Sequence, residues 1–156
     1  MEDNTRDNIW LRSRLDSMLE NHFDDIEHLH PILIHFGRRS KTRLGSITLR
    51  HRERIRTPMY RHEVKSLNIH DAVSLITINS LLKHEQVPEV VVDGVIAHEL
   101  VHYCHGFNSL LPRKHKHPHA GGVVRLELKK RGIDHLERDQ KKWTKVYWRE
   151  FMRKLG

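Results

Sequence analysis

The sequence predicts an α+β fold, in which a small three-stranded antiparallel or mixed sheet packs against helices. Three observations predict it. Apolar residues recur at helical spacing in TRDNIWLRSRLDSMLENHF, near the start of the chain. Short β-branched runs follow, in PILIHFG, RLGSITLRH and VSLITINSLL. After Pro88 the chain returns to helical runs, separated by a loop rich in His, Pro and Gly. Strands between one early helix and three later ones are typical of an α+β domain.

The length indicates one domain, because 156 residues are enough to bury a core and too few for two typical domains. Within the single domain 1–156 we distinguish four parts. Residues 1–30 hold the N-terminal helix, and 31–82 hold the sheet with a basic arm. Residues 88–107 form a central helix, and 108–156 hold a His-rich loop and two C-terminal helices.

The first helix has Asn4 and Thr5 as candidate capping residues. The two runs that follow it are separated by the basic turn RRSKT, which predicts a β-hairpin. A third strand is expected at about 74–79. Between them RERIRTPMYRHEVKSLN has no clean period, so we interpret it as an irregular basic arm.

The two C-terminal helices are expected at about 120–130, ending at Gly132, and at about 134–154. Apolar and aromatic residues recur along the last helix beside a basic surface. We predict that this stripe faces the core, the alternative being that its aromatics stack on bases. The stripe consists of Trp143, Val146, Tyr147, Phe151 and Leu155.

The segment VVVDGVIAHELVHYCHGF, residues 90–107, predicts a helix that is apolar on almost every side and is therefore buried. Its middle nevertheless carries His98, Glu99 and His102. At about 100° per residue the two histidines lie about 40° apart, one turn from each other. A buried carboxylate without a partner is unfavourable. A zinc ion bound by both imidazoles resolves this, so we predict Zn²⁺ at His98 and His102.

Glu99 completes the pattern H-E-x-x-H, in which the glutamate is the general base that activates a water. The chain contains 15 histidines, so the bare pattern carries little information by itself. Its position inside a strongly apolar helix is the better argument for a metal. The alternative is that His98 and His102 are ordinary core histidines.

A catalytic zinc ion needs a third protein ligand, and the residues leave five candidates. His119 stands where the next helix begins, a fixed position from which to reach the ion. His117 and His115 belong to the same loop, KHKHPHAGG. Glu127 would supply a carboxylate from the following helix, whereas His105 is one turn too far along. We favour His119, and His117 and Glu127 remain open.

The chain resembles the SprT-like zinc metallopeptidases, the family of the Spartan-type proteases. The residues that carry the resemblance are RLGSITL, ITINSLL, VPEVVVDGVIAHELVH and HAGGVVRLELKKRG. The resemblance implies a zincin-like metallopeptidase domain whose metal is held by three histidines, the third at the start of a helix. HAGGV matches that position in part, since its glycine stands one place late and Val123 replaces an aromatic residue.

We therefore expect a zinc metalloendopeptidase that hydrolyses peptide bonds in a protein or peptide substrate. Glu99 would pass the proton from water to the leaving amine. The strand at 74–79 would hold the substrate by backbone pairing. The candidate oxyanion donors are Tyr103, Tyr60 and the histidines of the loop, and the sequence does not choose among them. The further candidates for contact with substrate or nucleic acid are Asn79, Tyr103, Arg50, Arg52 and Lys114.

The net charge of +8 suggests a second hypothesis. Residues 31–70 carry ten Lys or Arg against two Asp or Glu, and 111–156 carry fourteen against five. Such blocks contact phosphate backbones in other proteins, and several relatives in the family act on proteins linked to DNA. The alternative function is thus a nucleic-acid-binding protein with a structural zinc site, or a latent one in which a loop histidine displaces the water.

The cellular location follows from absences in the sequence. No apolar run approaches the eighteen or so residues that a membrane span needs, so no membrane association is expected. The acidic start MEDNTRDNIW does not resemble a secretory signal, and a single cysteine fits a reducing compartment. We expect a cytoplasmic protein that associates with DNA under the second hypothesis.

Overall fold

The structure, a computed structural model, describes residues 5–27, 29–68 and 70–155. This part of the chain forms five α-helices and a three-stranded mixed sheet, which confirms the α+β class. None of these helices combines the length and the apolar character that crossing a lipid bilayer requires. In chain order the elements are α1 (Asn8–His22), β1 (Ile32–Phe36), β2 (Gly45–His51), α2 (Arg61–Lys65), β3 (Ala72–Ile78), α3 (Glu89–Cys104), α4 (Val123–Lys130) and α5 (Asp134–Leu155).

Helix α1 begins later than the capping candidates suggested. Its N-cap is Asp7, whose carboxylate accepts a hydrogen bond from the backbone N–H of Trp10 at 2.8 Å. Thr5 is therefore not the cap, and Asn4 lies outside the described residues. The helix buries Leu11, Leu15 and Met18.

The predicted hairpin is wrong, because β3 lies between the two strands that were expected to pair. The strand order is β1-β3-β2, with β3 parallel to β1 and antiparallel to β2. Burial explains this order. Five of the seven residues of β3 are buried, on both faces of the sheet, whereas β2 buries only Ile47. A strand that is apolar on both faces belongs in the centre, and a half-polar strand belongs at an edge.

The two faces of the sheet are covered by different parts of the chain. One face, with Ile34, Ile47 and Ile76, belongs to the main core with α1 and α3. Within the described ranges, hydrophobic packing covers the opposite face at one end, where Leu33 and Leu75 pack under Tyr60. The rest of that face carries polar side chains that line an open concavity.

The basic arm is more regular than its sequence suggested. It contains two 3₁₀ turns, Arg52–Arg54 and Pro58–Tyr60, and the short helix α2. Tyr60 anchors the arm to the sheet, since its hydroxyl donates a hydrogen bond to the Ile34 carbonyl and accepts one from the Ile34 N–H. Tyr60 is 1% exposed, so it is a core residue and not an oxyanion donor.

Helices α3 and α5 approach each other closely at Gly94. A Cβ atom at this position would lie 2.6 Å from the carbonyl oxygen of Leu136 and 2.7 Å from the Cβ of Gln140. Both distances are far below van der Waals contact, so only glycine permits the observed separation. One turn further along α3, the same approach brings α5 beside His98.

The predicted core stripe of α5 is correct only in part. Phe151 is buried and Trp143 is partly buried against the core, but Val146, Tyr147 and Leu155 are exposed. The buried side of α5 instead includes Trp148, whose indole N–H donates to the carbonyl of Lys41 at 2.8 Å. The aromatic side of α5 thus supports the loop before β2.

Candidate metal centre

Three histidine side chains converge at one end of α3. His98 and His102 come from successive turns of the helix, and His119 reaches them from the loop before α4. The Nε2 atom of His119 lies 3.1 Å from Nε2 of His98 and 3.0 Å from Nε2 of His102. Nitrogen ligands at 2.0–2.1 Å from a tetrahedral zinc ion are about 3.3 Å apart. The three Nε2 atoms therefore fit a single ion, and they form a group able to hold a metal.

A buried carboxylate fixes the orientation of His98. Nδ1 of His98 lies 3.3 Å from Oε2 of Glu137, which is 4% exposed, and Lys141 contacts the other oxygen at 2.8 Å. The contacts with His98 and then with Lys141 lower the pKa of Glu137 to about 2. Because the carboxylate only accepts, Nδ1 of His98 carries the proton, and Nε2 presents its lone pair to the other histidines.

The imidazoles of His102 and His119 are shifted toward the neutral form. Burial, with the nearby His98 and His119, lowers the pKa of His102 to about 4. Burial and the proximity of His98 lower the pKa of His119. Neutral imidazole is the form that binds a metal, so the cluster is prepared for a cation near neutral pH.

The approach of His119 depends on the two glycines that follow it. Gly121 and Gly122 both have positive φ angles, 71° and 67°, which glycine adopts without strain. This left-handed turn redirects the chain into α4, which begins at Val123 and not at the expected Ala120. The same turn leaves His119 directed at α3.

Glu99 lies beside the histidines at the edge of an open cleft, the metal cleft. The cleft has a volume of about 420 Å³ and is lined by residues 42–45, Val95, His98, Glu99, Gln140 and Lys141. Burial raises the pKa of Glu99 to about 7, an effect that His98 and Arg43 partly offset. Within the described residues its carboxylate has no hydrogen-bond donor. A carboxylate that exchanges a proton near pH 7 suits a general base.

The other candidate ligands lie elsewhere. Nε2 of His105 is 3.5 Å from Glu127, and its ring lies 4.6 Å from the ring of His115. Glu127 also contacts Arg131 at 3.6 Å. None of these side chains, nor His117, joins the group that the described residues form around His98. The structure thus brings together the three histidines that the sequence favoured, while zinc itself stays a prediction.

Two of the further candidate contact residues are buried. Tyr103 is 0% exposed and packs against His30, so the predicted contact with substrate and the oxyanion role are wrong for this side chain. Asn79 is 3% exposed. Its amide nitrogen donates to the carbonyls of Ser40 and Arg43 at 2.7 and 2.9 Å, so Asn79 holds the loop before β2.

The basic candidates Arg50, Arg52 and Lys114 lie outside the metal cleft. Arg50 lies on the open face of the sheet, where it donates to Thr48 at 3.1 Å. Arg52 is held in the arm by the carbonyl of Val64 at 3.3 Å. Lys114 is exposed on the His-rich loop.

The proposal that the strand at 74–79 pairs with a substrate is wrong. This strand, β3, has neighbours on both sides, so its backbone groups already pair within the sheet. The edge nearest the cleft is β2, since residues 42–45 line the cleft and lead into this strand.

Glu137 was not among the site residues predicted from the sequence. Its only local signal is the spacing to Lys141, and its role depends on the long-range packing of α5 on α3.

We expect alanine at His98, His102 or His119 to abolish stoichiometric zinc binding, because each removes one of three converging nitrogen atoms. Alanine at His115 or His117 should leave the zinc content unchanged. Metal analysis by mass spectrometry of the purified variants measures this directly. Loss of zinc from His117→Ala, or its retention in His119→Ala, would assign the third ligand elsewhere.

We expect Glu137→Gln to weaken zinc binding by about tenfold or more, since the charged acceptor that orients His98 is lost. Competition with a chelating dye gives the dissociation constant. Glu150→Gln is the matched control, because Glu150 also contacts a lysine four residues later on α5 but is exposed. Equal zinc affinity for wild type and Glu137→Gln would contradict the positioning role.

In metal-free protein we expect Glu99→Gln to become relatively more stable as pH rises. The pKa of Glu99 is raised from 4.5 to about 7 on folding. Between these values the folded state holds a proton that the unfolded state has released, so wild type loses stability as pH increases. From about pH 5 to pH 8 the variant should gain about 2 to 3 kcal/mol on wild type.

Urea unfolding in EDTA at the two pH values tests this difference. The histidine contributions are common to both proteins and cancel in the comparison. Glu20→Gln, which removes an exposed carboxylate from α1, is the control substitution. A difference between Glu99→Gln and wild type that does not change with pH would show that the carboxylate of Glu99 is not buried as described.

Comparison with known proteins assigns no family to this geometry. No protein-family model, no curated protein and no solved structure matches the chain. The resemblance to SprT-like metallopeptidases therefore rests on sequence segments alone, and the peptidase activity that it implies is a hypothesis.

Proposed function

We propose that the protein is a zinc-dependent metalloendopeptidase in which Glu99 is the general base. One observation carries the proposal. Three imidazoles direct Nε2 atoms at a common point, and the neighbouring buried carboxylate of Glu99, whose pKa is about 7, lines a cleft open to solvent together with His98. Three protein ligands with an open position are typical of catalytic zinc sites, whereas structural sites are closed by four.

His98, His102 and His119 would hold the metal. A bound zinc ion supplies Lewis acidity, which makes water acidic enough to deprotonate near neutral pH and polarises a carbonyl group. The residues of the chain do the rest. Glu99 accepts a proton from the attacking water and later delivers it to the leaving nitrogen, a transfer that its raised pKa favours in both directions. Glu137 keeps His98 in the tautomer that binds metal.

The substrate would approach along β2. Within the described part of the sheet, β2 hydrogen-bonds only to β3, which leaves its outer edge available for a further strand. Residues 42–45 lead from this edge into the cleft beside Glu99. A polypeptide that pairs with the edge would therefore present its backbone to the metal cleft.

We also propose an intracellular location, because Cys104, the single cysteine of the sequence, is a free thiol and fits a reducing compartment.

The thiol of Cys104 is buried. Burial raises its pKa to about 12, so it is neither a nucleophile nor a metal ligand near neutral pH.

We expect Glu99→Gln to retain zinc and to cleave a denatured protein roughly 10²- to 10⁴-fold more slowly than wild type, because the base is removed and the ligands are not. Peptide release and zinc content are measured on the same preparation. Glu85→Gln, an exposed substitution outside the cleft, should behave as wild type. Full activity in Glu99→Gln would refute the catalytic role, and zinc-loaded wild type that cleaves nothing would refute the peptidase proposal.

A further inference from the structure

The open face of the sheet carries a strongly basic concavity next to the metal cleft. We call it the arginine groove and define it by Arg38, Arg39, Arg43 and Arg50, together with the Ser and Thr side chains of residues 40–48. Its volume is about 800 Å³. No Asp or Glu is among the residues that line it.

Within the described part of the chain none of the four arginines forms an ion pair, although the charge of Arg43 acts on nearby Glu99 and partly offsets the rise that burial causes in the pKa of its carboxyl. Four arginines outside the groove do form ion pairs, and two of them are Arg14, which contacts Asp93 at 2.7 Å, and Arg131, which contacts Asp25. Among the residues that the structure describes, the only side-chain hydrogen bond of a groove arginine runs from Arg50 to the hydroxyl of Thr48. Guanidinium groups with free donors bind carboxylates and phosphates, often through two parallel hydrogen bonds.

The loop that bears three of these arginines is held in place from two sides. Asn79 binds the carbonyls of Ser40 and Arg43 from the end of β3. Trp148 binds the carbonyl of Lys41 from α5. A loop fixed by a buried amide and a partly buried indole presents its charges without a large entropic penalty on binding.

The groove and the metal cleft adjoin each other. Thr42, Arg43 and Gly45 line both of them, and β2 begins at Gly45. Successive side chains of a strand point to opposite faces. A polypeptide paired with the outer edge of β2 would therefore place every second side chain over the open face, beside Thr48 and Arg50, and the others beside Ile47 and Leu49.

The chemistry of the groove favours such a polypeptide over nucleic acid. No Phe, Tyr or Trp lines it, so it lacks the stacking platforms that proteins use to bind single strands. Its connection to the cleft also gives a peptide bond a path to Glu99. We propose that the substrate is an extended segment rich in Asp and Glu, whose carboxylates bind the arginine groove while a neighbouring peptide bond occupies the metal cleft. This inference rests on the proposed peptidase function.

Binding is tested separately from cleavage in the zinc-loaded Glu99→Gln protein. The probes are a fluorescent peptide in which Glu alternates with apolar residues and its counterpart with Gln in place of every Glu. Fluorescence anisotropy at low salt should give at least about tenfold tighter binding of the Glu peptide. Arg38→Gln/Arg39→Gln and Arg50→Gln should each remove most of this preference. The matched control is Arg125→Gln/Arg149→Gln, which removes two exposed charges from α4 and α5 and should retain it.

Three results would overturn the inference. Equal affinity for the two peptides is the first, and a preference that survives in the groove variants is the second. The third is a DNA duplex that displaces the Glu peptide and whose own binding is lost in the groove variants, since this would assign the groove to phosphates.

Cleavage of the same peptides by wild type separates this inference from the proposed function. If both peptides are cleaved equally, in wild type and in the groove variants alike, the arginine groove is not the specificity site and the peptidase proposal stands. If the Glu peptide binds as expected but zinc-loaded wild type cleaves neither peptide, the peptidase proposal fails and the groove remains a site for acidic segments.

Discussion

The burial of ionisable side chains on α3 is the constraint on which the site depends. The helix is apolar around most of its circumference, yet His102 and Glu99 are 7% and 6% exposed. Burial outweighs the nearby charges that favour the ionised forms, Arg43 at Glu99 and Glu137 at His102. Both side chains are therefore shifted toward neutrality, with a pKa of about 4 for His102 and about 7 for Glu99. A neutral imidazole is a metal ligand and a carboxylate near its pKa is a proton acceptor. Burial thus favours the neutral imidazole of His102, which can bind a metal, and gives Glu99 the pKa of a proton acceptor near neutral pH.

Other elements supply what a single helix lacks. His119 arrives through a loop whose path depends on Gly121 and Gly122, and Glu137 arrives on α5. The wall of the cleft comes from the loop before β2, which Asn79 and Trp148 hold. Each of these parts is anchored in the core or in the sheet. The site is therefore assembled from distant segments of the chain by packing that also stabilises the fold.

Local patterns were enough to predict the parts of the site that lie on one element. The spacing of His98, Glu99 and His102 within an apolar run defines their side of α3, and His119 could be favoured because it precedes a helix. Long-range pairing was beyond such reasoning. Adjacent β-runs suggested a hairpin, whereas burial on both faces placed β3 in the middle of the sheet. Glu137 and the buried environment of Asn79 depend on contacts between residues 36 or more positions apart, which no local pattern encodes.

Gly94 links the hydrophobic core to the metal centre. The absence of a single methyl group at this position sets the distance between the axes of α3 and α5, and His98 and Glu137 meet about one turn away. A larger residue would act as a wedge that separates the helices while leaving both of them helical. Spectra that report helix content would then look normal although the orientation of His98 had been lost. The residues that position 94 tolerates are therefore limited by the orientation that metal binding requires of His98.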